Sequence, residues 1–323
     1  MATIYVTRRI PEPAEQELTA AGHAVITNPD DRVLTHEELL AALAEHAPEA
    51  IISQLTDTID ASVFAAAPSL KICANYAVGY NNIDVAAAKA AGVIVTNTPG
   101  VLTDTVAEHV VALLLSLTSR IAEGDRFVRA GKYDGWAPML LLGTDMKGAT
   151  LGIAGAGRIG ARVGEIAAKG LGMKIRYTDI KRNEDFEAAT GAVFDDSIEA
   201  LLPQCDAVTL HVPLLDSTHH LMNAERLHMM KPSAFLINAS RGPVVDEAAL
   251  VTALTDGTIK GAALDVYEHE PALAPGLAAC ENAVLTPHLC SASEGTRSAM
   301  ADIAAKNVLA VLSGAEAPNA VAA

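Results

Sequence analysis

The sequence predicts an α/β protein built from two doubly wound parallel-sheet domains. Three observations carry that expectation: two successive series of short apolar runs, amphipathic stretches between the runs, and a glycine-rich turn directly after a strand candidate. Such a β-α-β rhythm implies mostly parallel sheets, because crossover helices cover their faces. The chain has 323 residues, half of them hydrophobic, which is enough for two cores of ordinary size. Aromatic residues make up only 4%, so Ala, Val, Leu and Ile must fill those cores.

The first series of strand candidates comprises Ile4–Val6, Ala24–Ile26, Ala50–Ile52, Leu70–Ala74 and Val93–Val95. Amphipathic stretches separate them, such as Glu37–Glu45 with Leu39, Leu40 and Leu43. A longer apolar helical pattern runs from Thr105 to about Ala130 and reads as one helix ending near Gly131. The second series contains six strand candidates: Thr150–Ala154, Lys174–Thr178, Ala207–His211, Ala234–Asn238, Gly261–Asp265 and Ala283–Thr286. Six strands with helices between them make a complete dinucleotide-binding domain. The segment Glu294–Leu312 reads as one Ala-rich helix.

A net charge of −16 argues against nucleic acid, whose phosphates need a basic surface. It gives an anionic ligand no long-range attraction, so any anion site must be locally positive. The four cysteines (Cys73, Cys205, Cys280 and Cys290) form no CxxC pair and read as reduced thiols of a cytoplasmic protein. Metal ligands at set spacings are not apparent, so no metal is expected. The first residues show no signal-peptide pattern, and the apolar run Val110–Leu117 is too short to span a membrane.

The sharpest local signal is Gly155, Gly157 and Gly160 in a GxGxxG turn that opens a helix. The first glycine permits the tight turn, the second a close approach to pyrophosphate, and the third close packing of helix on strand. Such turns also occur for purely structural reasons. Here the next strand candidate ends at Asp179, nineteen residues beyond Gly160, where an acid can accept the ribose hydroxyls of a dinucleotide. Asp179 should repel a 2′-phosphate, which favours NAD(H) over NADP(H). Lys181 and Arg182 either soften that preference or are solvated surface charges, leaving NADPH use open.

Downstream, Ala239, Ser240 and Arg241 follow a strand candidate, as does the stretch from Asp265 to Glu270, and His288 follows the last. Arg241 could hold a carboxylate through its bidentate fork and polarise a carbonyl. His288 could give a proton to a carbonyl oxygen, with Glu270 holding the imidazole. Singly, each has a plain alternative: a surface arginine, an exposed acid, a core histidine.

Arg241, Glu270 and His288, in that order after GxGxxG, resemble the D-2-hydroxyacid dehydrogenase family. Ala77–Asp84, Thr96–Asp104, Ala107–His109, His211–Leu214 and Gly261–Val266 carry further likeness, which covers nearly the whole chain. Asn75–Tyr80 and Asn97–Asp104 look most like the glyoxylate and hydroxypyruvate reductases of that family.

The resemblance implies a flavodoxin-like substrate domain of residues 1–100 and 290–323, and a Rossmann domain of residues 101–289. It implies catalytic roles for Arg241, Glu270 and His288, and substrate contacts at Leu55, Val78, Gly79, Arg241 and His288. Cofactor contacts fall on Thr103, Val106, Gly155, Gly157, Arg158, Ile159, Gly160, Asp179, His211, Val212, Pro213, Thr218, Ala239, Ser240, Arg241, Asp265 and His288, with Asp265 at the nicotinamide amide. It also implies a homodimer, through the helix from Thr105 onward. Trp136 either reaches a neighbouring subunit or plugs the dimer arm. The implied reaction is reduction of a small 2-oxo acid to the D-2-hydroxy acid. The alternatives are a dehydrogenase for 2-ketogluconate, lactate or phosphoglycerate, or a non-catalytic NAD-sensing corepressor. Glu270 and Val78 disfavour formate and phosphite oxidation, whose enzymes carry Gln and Lys there. Cys290 departs from the small Gly or Ala usual after the catalytic histidine; it narrows the pocket or does nothing.

Overall fold

A computed structural model describes residues 1–321 and divides the chain into two compact units, Met1–Leu102 with Ala292–Ala323, and Thr103–Ser291.

The first unit runs β1 (Thr3–Val6), α1 (Glu12–Ala20), β2 (Ala24–Thr27), α2 (His36–His46), β3 (Ala50–Ser53), α3 (Ala61–Ala66), β4 (Ile72–Asn75), α4 (Val85–Ala90) and β5 (Ile94–Thr96). The strands form a parallel sheet of order β2-β1-β3-β4-β5. Every residue of β3 and β4 is buried, the pattern of parallel strands covered on both faces. Local signals agree with the elements: Thr35 and Glu38 form a capping box on α2, and Asp60 and Asp84 cap α3 and α4. The C-terminal helix Glu294–Leu312 returns to this unit and packs on α1 and β4, burying Met300, Ala301, Ala304, Ala305 and Val308.

The second unit begins with α5 (Thr103–Thr118) and α6 (Ile121–Arg129). There follow β6 (Thr150–Ala154), α7 (Arg158–Leu171), β7 (Lys174–Thr178), α8 (Glu184–Thr190), β8 (Val193–Phe194), α9 (Ile198–Leu201) and β9 (Ala207–Leu210). Then come α10 (Ala224–Met229), β10 (Phe235–Asn238), α11 (Glu247–Thr255), β11 (Gly261–Leu264) and β12 (Ala283–Leu285), the C-terminal helix of the first unit being α12. The parallel sheet has the order β12-β11-β10-β9-β6-β7-β8.

Two expectations need correction here. The single helix from Thr105 to Ala130 is two helices bent by 60°. Arg120 sits at φ 56°, and the Thr118 carbonyl accepts from the Thr144 amide at 2.8 Å, with Gly143 packed against it. The apolar period continues across this joint, so periodicity does not reveal it. α5 buries Val106, Val110, Leu113, Leu114 and Leu117, whereas α6 buries nothing. The sheet also has seven strands rather than six. The seventh, β8, is two residues long, too short for a period to register, and Arg176 on β7 holds Asp195 just beyond it at 2.5 Å. Among the described residues no single helix is long and apolar enough to cross a membrane.

Candidate active site

In the second unit, the strand order aligns the residues singled out above. Read from β12 across to β7, the strands' C-terminal ends present His288, Asp265, Ala239–Arg241, His211–Pro213, the glycine turn, and Asp179. Neighbouring β6 and β9 are the point where the chain reverses its winding direction, the position at which doubly wound sheets bind ligands.

The glycine turn has the form its sequence implies. Gly155 lies at φ 94°, and a Cβ there would stand 2.9 Å from the His211 carbonyl. A Cβ on Gly160 would fall 2.1 Å from the Gly155 oxygen, so only glycine lets α7 start so close to the turn. Gly157 faces open space, and no side chain caps α7. An open helix N-terminus is where a pyrophosphate is held, and Arg158, Ile159 and Gly160 supply its first amides. Asp179 accepts from the Ala156 amide at 2.7 Å and the Ile180 amide at 2.7 Å, tying the turn to the end of β7. Its two oxygens retain lone pairs for ribose hydroxyls. Arg182 is committed elsewhere: it donates to both Glu187 oxygens at 2.7 and 2.8 Å, and Tyr177 Oη donates to the same carboxylate. These residues fit a nicotinamide dinucleotide.

Thr103 and Val106 lie at the start of α5. Val212, Pro213 and Thr218 share the loop after β9, where the Thr218 hydroxyl donates to Pro213 O at 2.5 Å. Burial pushes the His211 imidazole down to about 4, so it is neutral near pH 7. Ala239, Ser240 and Arg241 form a turn built on Asn238, whose side chain accepts from the Ser240 amide and donates to Arg241 O at 2.9 Å. Burial lowers the Arg241 pKa, and the Glu270 charge offsets only part of that; an arginine so placed remains cationic.

His288 Nδ1 donates to Glu270 Oε2 at 3.1 Å, and Glu270 Oε1 accepts from the Tyr267 amide at 3.0 Å. Burial would raise the Glu270 carboxyl. The His288 hydrogen bond and charge, the Tyr267 amide and Arg241 outweigh it and hold the group below the usual carboxylate range. An ionised Glu270 keeps the proton on Nδ1, leaving Nε2 to exchange a proton with substrate. His288 adopts φ 57°, secured by its amide donating to Asp265 O at 2.9 Å. Asp265 is fully buried and accepts from Thr286 Oγ1 at 2.5 Å and from the Leu289 and Cys290 amides at 2.7 and 2.9 Å.

Leu55, Val78 and Gly79 belong to the first unit, just beyond the C-terminal ends of β3 and β4. The Val78 and Gly79 carbonyls accept from Asn97 Nδ2 at 2.8 Å and Asn75 Nδ2 at 2.9 Å. Sequence reasoning passed over Asn238, Tyr267 and Thr286, which hold Arg241, Glu270 and Asp265. The Asn-x-Ser spacing of Asn238 and Ser240, typical of a side chain closing its own turn, was a readable signal for the first. His109, quoted above only as part of a matching segment, has Nε2 3.7 Å from Asp265 Oδ1.

The fold and this row of residues define a class, the dinucleotide-dependent α/β oxidoreductases. Residues 111–290 match the family model of the D-isomer specific 2-hydroxyacid dehydrogenase NAD-binding domain. A glyoxylate reductase of Korarchaeum cryptofilum is 47% identical over 98% of this chain and 95% of its own. One from Thermofilum pendens is 45% identical over 98% and 93%. Among solved structures, a Thermus thermophilus protein superposes with a TM-score of 0.93 at 41% identity, covering 99% of this chain and 100% of its own. The NADPH-dependent glyoxylate/hydroxypyruvate reductase of Sinorhizobium meliloti, bound to NADP and malonate, gives 0.85 at 34% identity, covering 99% and 97%. The chain belongs to the D-isomer specific 2-hydroxyacid dehydrogenase family and is an NAD(P)-dependent dehydrogenase.

Proposed function

We propose that this enzyme reduces glyoxylate or hydroxypyruvate, with NADH preferred over NADPH, as a cytoplasmic homodimer. The observation that carries the chemistry is the His288–Glu270 pair in one row with Arg241 and the glycine turn. Glyoxylate reductases dominate the near relatives and support the substrate. Asp179 supports NADH, since its carboxylate opposes a 2′-phosphate and Arg182 is engaged by Glu187. The exposed apolar side chains of α6 and the segment after it, Ile121, Val128, Trp136 and Met139, support burial in a partner.

A nicotinamide dinucleotide held at the glycine turn would supply the hydride for the carbonyl carbon. Arg241 holds the substrate carboxylate and draws charge toward the carbonyl oxygen. His288 delivers the proton from Nε2 while Glu270 stabilises the imidazolium through Nδ1. Thr103, Val106, Val212, Pro213, Thr218, Ala239 and Ser240 would line the dinucleotide, and Asp265 would receive the nicotinamide amide.

The test follows NADH and NADPH oxidation with glyoxylate, hydroxypyruvate, pyruvate and 2-ketogluconate. The reading holds if one of the first two has the highest kcat/KM with NADH. Preference for 2-ketogluconate or pyruvate would move the enzyme to another branch of the family. No turnover with any 2-oxo acid would leave a dinucleotide-sensing protein.

A further inference from the structure

We propose that His109, Asp265 and Cys290 form a binding site for a borderline-soft divalent cation such as Zn²⁺, and that filling it reversibly blocks the enzyme. The three residues come from α5, the end of β11 and the turn after β12, all within the second unit. One ligand atom from each lies within 4.8 Å of the others. His109 Nε2 is buried without a hydrogen-bond partner, 3.7 Å from Asp265 Oδ1. A buried ring nitrogen left unpaired is costly, and here it is accompanied by a carboxylate and a thiol.

Tetrahedral Zn²⁺, with bonds of about 2.0–2.3 Å, separates its ligand atoms by roughly 3.3–3.8 Å. The histidine–aspartate distance already meets that spacing, and the remaining distances need to close by at most about 1.5 Å. Nitrogen and sulfur donors suit Zn²⁺ and disfavour Mg²⁺ and Ca²⁺, which take oxygen. His109 is the most accessible of the three, its side chain 24% exposed, and offers the way in.

Cys290 is held as a thiol by burial first and by the Asp265 charge and hydrogen bond next, so without metal it is a poor nucleophile. Binding exchanges one proton for one cation. The S–H bond breaks, a sulfur–metal bond forms, and the proton leaves to water; nothing is oxidised or reduced. A carboxylate of charge −1 then becomes a neutral assembly of one divalent cation, one thiolate and one carboxylate.

Metal binding is independent of the substrate assignment; the block rests on it, because Asp265 is assigned to the nicotinamide amide. The intact protein is titrated with Co²⁺, whose thiolate complex absorbs in the near ultraviolet, and then with Zn²⁺ as competitor. One equivalent of Co²⁺, a charge-transfer band, release of one proton and displacement by Zn²⁺ are expected. Cys290→Ala should lose the band while its metal-free turnover stays within a few-fold of wild type, and His109→Gln should weaken binding at least tenfold. Zn²⁺ should inhibit wild type, with reversal by EDTA, and spare Cys290→Ala. An absent band, or equal metal affinity in wild type and Cys290→Ala, overturns the site. Binding without inhibition, or equal inhibition of Cys290→Ala, overturns the block. A protein inactive on every oxo acid still reports the band, so failure of the function is distinguishable.

Discussion

Four side chains of the candidate site translate into separable measurements. Asp179 is the proposed acceptor for the ribose hydroxyls, so Asp179→Ala should raise the NADPH/NADH ratio of kcat/KM by tenfold or more, about 1.4 kcal/mol. An unchanged ratio would assign the preference to another residue. Reduction consumes a proton, which His288 is proposed to deliver, and oxidation releases one, so the reductive rate should fall with rising pH and the oxidative rate should rise. Glu270→Gln removes the ionised carboxylate that holds Nδ1 of the ring, and should lower kcat at least tenfold while sparing NADH binding. His288→Ala should cost about 10²–10⁴ in kcat and spare NADH binding; near-normal turnover would remove His288 from the chemistry. His211 affects stability instead. Its folded pKa of about 4 lies below the ordinary value of 6.5, so between these limits the unfolded chain binds the extra proton. Stability contributed by the neutral ring is therefore present above pH 6.5 and lost as pH falls toward 4. His211→Gln should flatten the decline of Tm across that window, and an unchanged slope would locate acid sensitivity elsewhere.

At the scale of elements, the glycine turn and α7 act as one piece. Gly160→Ala forces a methyl against the Gly155 carbonyl, and backbone cannot yield as a flexible side chain does. The expected cost is about 1–3 kcal/mol of stability, together with at least tenfold weaker NADH binding by calorimetry. Wild-type affinity in this variant would show that α7 can shift without losing the pyrophosphate. Elements of this kind were legible because their signals are local: three glycines, then a strand ending in an acid, announce themselves by spacing. The break at Arg120 was not, because its cause lies in Gly143 and Thr144, more than twenty residues away, rather than in the apolar period. β8 escaped because two residues contain no repeat. Arg241, Glu270 and His288 could be singled out by family motif, whereas the approach of His109 to Asp265 and Cys290 joins residues far apart in the chain and needed the fold itself.

For the molecule as a whole, charge sets a condition on the kinetics. A chain of net charge −16 repels an anionic oxo acid at long range, and Arg241 is the proposed local attraction that overcomes it. Moderate salt screens that repulsion, so kcat/KM should rise by roughly two- to threefold between 10 and 150 mM NaCl before saturating. A fall over the same range would indicate attraction by a local positive field. The return of α12 to the first unit also bears on how the chain emerges from the ribosome. Its sheet is complete in sequence by Thr96, yet α1 and β4 must wait for α12, made after the whole second unit, before they are covered. Thr103–Ser291, being continuous, can close its own sheet while that apolar surface is still bare. A nascent chain stalled before Glu294 should therefore protect the second sheet from protease and leave the first open to chaperone capture.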